Sequence, residues 1–292
     1  MKKQAFLLLF LLSPVSTYAQ NDSATLVNAK WGEREIAVGV VNKWIHFNNH
    51  ELFNSNQYIC IIEIDKNSGA RLEILPSPVL KETSRMAEEK GATAAINGSF
   101  FKFNYAFNAE DYNSVDYIRK ENIQLAPNTF TEKNQNQREI HQLGALAIFK
   151  KELYILKADE LKTWENYICA DEVLTTGPIL RVAGKDEILQ NSSFYTTRHP
   201  RTAVAKKKDG TILLVTVDGR AKESAGVSIK ELQNILKWLG GEYIINLDGG
   251  GSTTMYIKDF SDNGVVNHPT DNKIFDNKGE RKVANAILLF LN

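Results

Sequence analysis

The stretch that most limits what this chain can fold into is Tyr243-Ile244-Ile245-Asn246-Leu247-Asp248-Gly249-Gly250-Gly251-Ser252-Thr253-Thr254-Met255-Tyr256. Its first half is apolar and β-branched, reads as a buried strand, and stops at a carboxylate. Three glycines follow at once. Glycine loses more backbone freedom on folding than any other residue, so such a run implies left-handed turns or close approach of the backbone to another group. Ser252, Thr253 and Thr254 add hydroxyl donors beside those N–H groups, a composition suited to an oxygen-rich or anionic ligand. Taken alone, the glycines read equally well as a tight turn between strands.

The preceding residues give the glycine run its context. Residues 202–205 and 211–217 are apolar runs separated by Lys206-Lys207-Lys208-Asp209-Gly210, and Asp-Gly between such runs signals a hairpin. A two-residue turn there sets Asp218 opposite or near Arg201, with Arg198 and His199 just outside. Ser228 and Glu231 form a capping box, with Val227 and Leu232 as a hydrophobic staple. Leu232, Ile235, Leu236 and Leu239 share one helical face, and Gly240-Gly241 end the helix. Residues 211–247 therefore read as a β-α-β unit, with parallel strands if they share a sheet and a right-handed crossover. This places Asp218 and Asp248 at one carboxyl edge, where open α/β sheets bind ligands.

Upstream, residues 36–41, 58–64 and 70–75 read as strands ended by Pro76 and Pro78, and 79–90 as a helix stopped by Gly91. Residues 93–96 form a strand that runs into Asn97-Gly98-Ser99. Residues 101–141 are polar and irregular, long enough for a lid or an insertion. Their aromatics Phe103, Tyr105, Phe107 and Tyr112 either stack on sugars or pin the insertion down. Residues 144–149 and 152–156 form a hairpin, and 284–290 an apolar closing strand. The fold class expected is α+β: a mixed β-sheet core with at least one β-α-β unit (211–247), hairpins and few helices. The organisation expected is a signal peptide (1–19), a β-rich lead-in packed on the core (20–90) and a main domain (91–292).

Composition removes whole classes of function. With 35 basic and 35 acidic residues the net charge is zero, which argues against nucleic acid as a partner. Met1-Lys2-Lys3 followed by the apolar residues 5–12 and by Thr17-Tyr18-Ala19 reads as a secretory signal peptide cut between Ala19 and Gln20. It is too short to span a membrane, so a secreted or periplasmic protein with no membrane partner is expected. Cys60 and Cys169 are the two cysteines; in an oxidising compartment they are as apt to pair as to stay free. No zinc spacing, nucleophile elbow or phosphate loop of the P-loop type is present.

Six motifs occur in order: Asn97-Gly98-Ser99-Phe100-Phe101, Thr176-Gly177-Pro178, Pro200-Arg201-Thr202-Ala203, Val217-Asp218-Gly219-Arg220, Leu247-Asp248-Gly249-Gly250-Gly251-Ser252-Thr253, and Gly279-Glu280-Arg281 with Val283-Ala284-Asn285. Together they resemble the phosphodiester glycosidase family, over residues 91–290 and more weakly from residue 58. The chain departs from the family pattern in Ser99, where a second glycine is usual, in a longer 269–279 stretch, and in extra sequence between Asn97 and Gly144.

The resemblance implies hydrolysis of a sugar-1-phosphodiester, of the GlcNAc-1-phosphate diester kind, at the anomeric C1–O bond. Asp218 and Asp248 are the candidate carboxylate pair for an oxocarbenium-like transition state, with Glu280 in reserve. Arg201 and Arg198 are candidates for the phosphate oxygens. Gly249, Gly250, Gly251, Ser252 and Thr253 offer neutral donors, and Asn97, Gly98 and Thr202 complete the expected substrate-binding set. No cofactor is required by the sequence. A divalent cation held by Asp218 and Asp248 stays open, as in a metal-assisted phosphodiesterase cutting P–O. So does a non-catalytic secreted glycan-binding protein. In the enzymatic reading the partner is a phosphorylated glycan or sugar-1-phosphodiester.

Overall fold

The strand Arg201–Lys207 folds back on Ile212–Val217 as an antiparallel hairpin, with Arg201 opposite Val217. Its loop contains Lys208, Asp209 and Gly210, because Lys207 N donates to Thr211 O at 2.8 Å and Gly210 turns the chain at φ 94°. The expected two-residue turn would have paired Arg201 with Asp218. The additional loop residue moves the partner back by one and leaves Asp218 just beyond the ladder.

The helix Ile229–Trp238 then carries the chain to the strand Gly241–Asn246. Ser228 Oγ accepts from Glu231 N, and the Glu231 side chain accepts from Ser228 N, so the capping box is complete. Replacing Ser228 with Ala is expected to cost about 1 kcal/mol of stability in urea unfolding. Leu232, Ile235 and Leu236 are fully buried against the sheet in one apolar cluster with Val215 and Ile244.

The strands on either side of this helix do not pair with each other. Arg201–Lys207 lies between them, antiparallel to both, so the two strands expected to form a β-α-β unit share one sheet without pairing. The hairpin occupies one edge of Arg201–Lys207, and the strand after the helix takes the other. Because both flank the same antiparallel neighbour, Ile212–Val217 and Gly241–Asn246 run in the same direction. Their carboxyl ends therefore meet the beginning of Arg201–Lys207 at one rim.

The structure is a computed structural model that describes residues 22–103, 110, 112–128, 138–161, 163–260 and 262–291. The signal peptide expected at 1–19 and the aromatics Tyr105 and Phe107 lie outside the described residues. Among the described residues there are three sheets, and strands far outnumber helices. The largest has the order Gly32–Ala37, Val40–Leu52, Ser55–Ile64, Ile212–Val217, Arg201–Lys207, Gly241–Asn246, Ile179–Val182, Lys185–Asp186. A five-stranded sheet contains Ile118–Lys120, Ile123–Ala126, Gly144–Phe149, Glu152–Lys157 and Glu172–Thr176. A four-stranded sheet contains Met255–Ile257, Ala94–Asn97, Val283–Phe290 and Arg71–Lys81. Residues of the expected lead-in and of the expected catalytic segment share sheets: Ser55–Ile64 pairs with Ile212–Val217 and Arg71–Lys81 with Val283–Phe290.

All three sheets contribute to one central core, which includes Ile62, Ile74, Ile96, Leu146, Leu174, Val204, Ile245 and Ile287. The strand Arg71–Lys81 runs through Pro76 and Pro78 instead of ending there, and the helix starts later than expected, at Thr83. Arg71–Lys81 is an edge strand, where a missing N–H can face away from the ladder. Cys60 is buried and Cys169 exposed, and both are free thiols. Among the described residues no helix is long and apolar enough to cross a membrane.

Candidate active site

The rim is assembled around one amide. Asn97 ends the strand Ala94–Asn97 and is fully buried. Its Nδ2 donates to the Asp248 carbonyl at 2.7 Å, and its Oδ1 accepts from Thr202 Oγ1 at 2.7 Å and Thr254 N at 3.1 Å. Asn97 and Thr202 thus serve as a joint between three segments. The Gly98 carbonyl accepts from Asp248 N at 3.0 Å. A Cβ on Gly98 would lie 2.0 Å from Asn285 Oδ1, the atom that accepts from Ser99 N at 2.7 Å.

Asp248 emerges partly buried from this joint, its Oδ1 accepting from Gly249 N at 2.9 Å. Gly250 has φ 63°, and a Cβ there would stand 2.9 Å from Arg220 Nη2. A Cβ on Gly251 would stand 2.4 Å from Asp271 Oδ1 and 2.5 Å from Arg281 Nη2. Glycine at both positions lets guanidinium groups lie against the backbone.

Burial pushes the Asp248 carboxyl up to about 6, against the pull of the Ser252 hydroxyl, the Gly249 N–H, Arg281 and His141. Burial lowers the Arg201 guanidinium to about 10, with Arg220 repelling it and Asp248 holding it. Arg220 is lowered by burial and by Arg281, and supported by Asp271 and Asp248. Arg201 donates to the carbonyls of Val227, Phe194 and Thr197, and Arg281 pairs with Asp271. Arg220 makes no ion pair among the described residues; its hydrogen bond goes to His199 Nδ1 at 3.4 Å. The site is thus one partly desolvated carboxylate among three guanidinium groups. Such an arrangement is suited to an anion beside a carbon that becomes positive.

His141 joins the site from the five-stranded side. Its Nδ1 pairs with Asp116 Oδ1, and its ring centroid lies 5.2 Å from that of Phe100. Burial opposes charge on this imidazole, and the carboxylates of Asp116, Glu139 and Asp248 outweigh it and raise its pKa. Burial pushes the Asp116 carboxyl up to about 6 against the pull of His141.

Several expected site residues are engaged elsewhere. Asp218 is 1% exposed; its Oδ1 accepts from Asn267 Nδ2 at 2.8 Å, and its Oδ2 from His268 N at 2.9 Å and His268 Nδ1 at 2.8 Å. Asn267 and His268 line a cavity of about 530 Å³, together with Arg34, Trp44, Tyr58 and Phe275. The two aspartates share a sheet edge and have different partners. Glu280 accepts from Ser84 N at 3.0 Å and from the Ser84 hydroxyl, closing the first turn of the helix Thr83–Lys90. Arg198 binds Glu231 and the Phe53 carbonyl at the other helix. Ser252 and Thr253 are buried. Two N–H groups of the glycine run already have protein acceptors: Gly249 N has Asp248 Oδ1 and Gly250 N has Pro200 O.

Sequence reasoning left Arg220, Arg281, Asp271, His141 and Asp116 without roles. Arg220 and Arg281 stand inside the quoted motifs, so the signal for them was present. Asp116 and His141 lie in the irregular stretch, where no spacing marks them. Among the described residues no three His, Cys, Asp or Glu side chains are grouped as metal ligands would be.

Over 107 residues the chain is 30% identical to the SPbeta prophage-derived uncharacterized protein YomE of Bacillus subtilis strain 168, covering 31% of this chain and 16% of that longer protein. The fold is shared with the zebrafish N-acetylglucosamine-1-phosphodiester alpha-N-acetylglucosaminidase catalytic domain auto-inhibited by its pro-peptide. The match has TM-score 0.64 and 15% identity, and covers 90% of this chain and 89% of that one. It is shared too with a hypothetical protein from Synechocystis, at TM-score 0.61 and 15% identity, over 90% of this chain and 64% of the other. The phosphodiester glycosidase family model matches residues 90–290, and the chain belongs to that family.

Proposed function

We propose that the chain is exported through its basic and apolar N-terminus and hydrolyses a sugar-1-phosphodiester at the anomeric C1–O bond. The observation that carries this reading is Asp248, a partly buried carboxyl held near 6 among Arg201, Arg220 and Arg281. Arg220 and Arg281 would hold the phosphate oxygens against the glycine backbone, with Arg201 adding charge from beneath. Asp248 would face the anomeric carbon, as nucleophile or as base for water. The departing group is a phosphate monoester whose second pKa is about 6, so its departure calls for charge stabilisation and for no acid stronger than a weak one. Asp218 would act as a buried support for residues 267–268.

The methyl phosphodiester of α-GlcNAc-1-phosphate is the first substrate to test, taking the sugar from the zebrafish neighbour's name. In ¹⁸O-labelled water the label should enter the sugar. Label in the phosphate, with turnover abolished by EDTA, would favour metal-assisted P–O cleavage. Saturable glycan binding with no turnover would favour a binding module. Arg220→Gln removes a charge-assisted contact worth about 1.5–3 kcal/mol, so kcat/KM for the diester should fall by about 10- to 100-fold. Unchanged kcat/KM would remove Arg220 from the phosphate site.

A further inference from the structure

We infer that His141, oriented by the buried carboxylate of Asp116, is the acid–base residue that donates a proton to the departing phosphate oxygen. The extra sequence between Asn97 and Gly144 would then supply catalytic machinery. This rests on the sugar-1-phosphodiester reading and extends it.

Three observations converge. First, the pair is built into the fold. Asp116 is 0% exposed, and Tyr117 N, the next backbone group, donates to both Asn128 Oδ1 and Thr175 Oγ1. The strands that follow, Ile118–Lys120 and Ile123–Ala126, are annealed to the five-stranded sheet. The Asp116 carboxylate has one hydrogen-bond partner among the described residues, His141, and its Oδ2 is buried without any. A carboxylate on Nδ1 fixes the ring orientation and leaves Nε2 as the working nitrogen. That nitrogen has no hydrogen-bond partner among the described residues, and the side chain is 19% exposed.

Second, two backbone routes bring His141 to Asp248. The Ile140 carbonyl packs on Gly177, where a Cβ would lie 2.4 Å away. The Gly177 carbonyl accepts from Asn246 Nδ2 at 2.8 Å, two positions before Asp248. On the other side the His141 ring tilts against Phe100, and Gly98, two residues earlier, holds Asp248 N through its carbonyl. Third, the charges are coupled. Asp248 feels His141, and His141 is raised by Asp116, Glu139 and Asp248 against the cost of burial.

The proton balance follows. As the C1–O bond breaks, its electron pair goes to the bridging oxygen, which takes the proton from Nε2. Water delivers its oxygen to C1. The proton that water loses returns the imidazole to its charged form, directly or through Asp248. The phosphate monoester leaves with one added proton and the sugar with one hydroxyl.

The experiment compares full-length wild type, His141→Gln and Asp116→Asn on two substrates. One is the methyl phosphodiester of α-GlcNAc-1-phosphate. The other is α-GlcNAc fluoride, whose leaving group departs without a proton. His141→Gln should lower kcat on the diester by about 10²- to 10⁴-fold and change fluoride hydrolysis by only a few fold. Asp116→Asn should lower diester kcat with little change in KM, and should lower the His141 imidazole pKa in an NMR titration. Equal losses on both substrates, or no loss on the diester, would overturn the proposal while the wild type's turnover upholds the parent reading. A wild type that turns over neither substrate would overturn both. Thermal midpoints within a few degrees of wild type separate these outcomes from unfolding.

Discussion

Asp248→Asn is expected to lower kcat on a sugar-1-phosphodiester by about 10³-fold or more and, at pH 8, to make the protein more stable. The first half follows from the role. An amide can neither attack an anomeric carbon nor take a proton from water, and removing such a group typically costs about 10²- to 10⁴-fold. The second half follows from the electrostatics. The folded carboxyl titrates at about 6 because burial penalises its charge, whereas an unfolded aspartate titrates at about 3.9. Between these values the unfolded chain has released a proton that the folded chain keeps. Stability therefore falls as pH rises through that window and stays lower above it. Asparagine has no such titration, and its Oδ1 can still accept from Gly249 N. Allowing for the solvent that reaches a partly buried group, the gain should be about 1–2 kcal/mol at pH 8 and should vanish near pH 4. Urea unfolding at the two pH values, beside steady-state kinetics, measures both halves. A variant that keeps a tenth of wild-type kcat, or that is less stable at pH 8, would remove Asp248 from the centre of the chemistry. The same titration predicts that wild-type kcat/KM falls as pH drops below about 6, because the ionised carboxylate is the working form.

Some of this was legible in the residues. The capping box at Ser228 and Glu231, the hairpin at Asp209-Gly210 and the strand into Asp248 are local signals, decided within a few residues by hydrogen bonding and backbone freedom. The common rim of Asp218 and Asp248 was expected from a β-α-β unit, and the structure sets a third strand, Arg201–Lys207, between its two strands. The rim survives because two strands flanking one antiparallel neighbour point the same way, just as two adjacent parallel strands would. The insertion of Arg201–Lys207 between them depends on which edge stays free after the hairpin forms, and that is a tertiary outcome. Side-chain commitments were least legible. Nothing in the sequence around Glu280 says that its carboxylate meets Ser84, nor that Arg198 meets Glu231, since both contacts span long separations. His141 and Asp116 sit 25 residues apart in a polar stretch without period, so only folding brings them together. The glycines were readable as a demand for close approach. What approaches them, Arg220 and Arg281, is decided by tertiary contacts.

The other large effect is expected at Asp218, and it falls on stability. Asp218→Asn should destabilise the protein by about 3 kcal/mol. Its carboxylate receives three donors: Asn267 Nδ2, His268 N and the His268 ring Nδ1. An asparagine offers one acceptor oxygen and turns an NH₂ group toward a donor whichever way it is placed. Asn267 cannot flip to accommodate it, because its Nδ2 also donates to Thr253 O at 3.1 Å and its Oδ1 accepts from Met255 N at 2.7 Å. An unsatisfied buried donor costs about 1–3 kcal/mol, and breaking a buried charged network from one side costs about 3–5 kcal/mol. Asn267 is the link through which the loss reaches Thr253 and the glycine run, so kcat should fall too, by less than about tenfold at temperatures where the variant is folded. Urea midpoints and kcat for Asp218→Asn beside Asp248→Asn separate support from chemistry. If Asp218→Asn unfolds at the wild-type midpoint and loses as much kcat as Asp248→Asn, the two aspartates act as a catalytic pair, and the hydrogen bonds to Asn267 and His268 belong to the resting state alone.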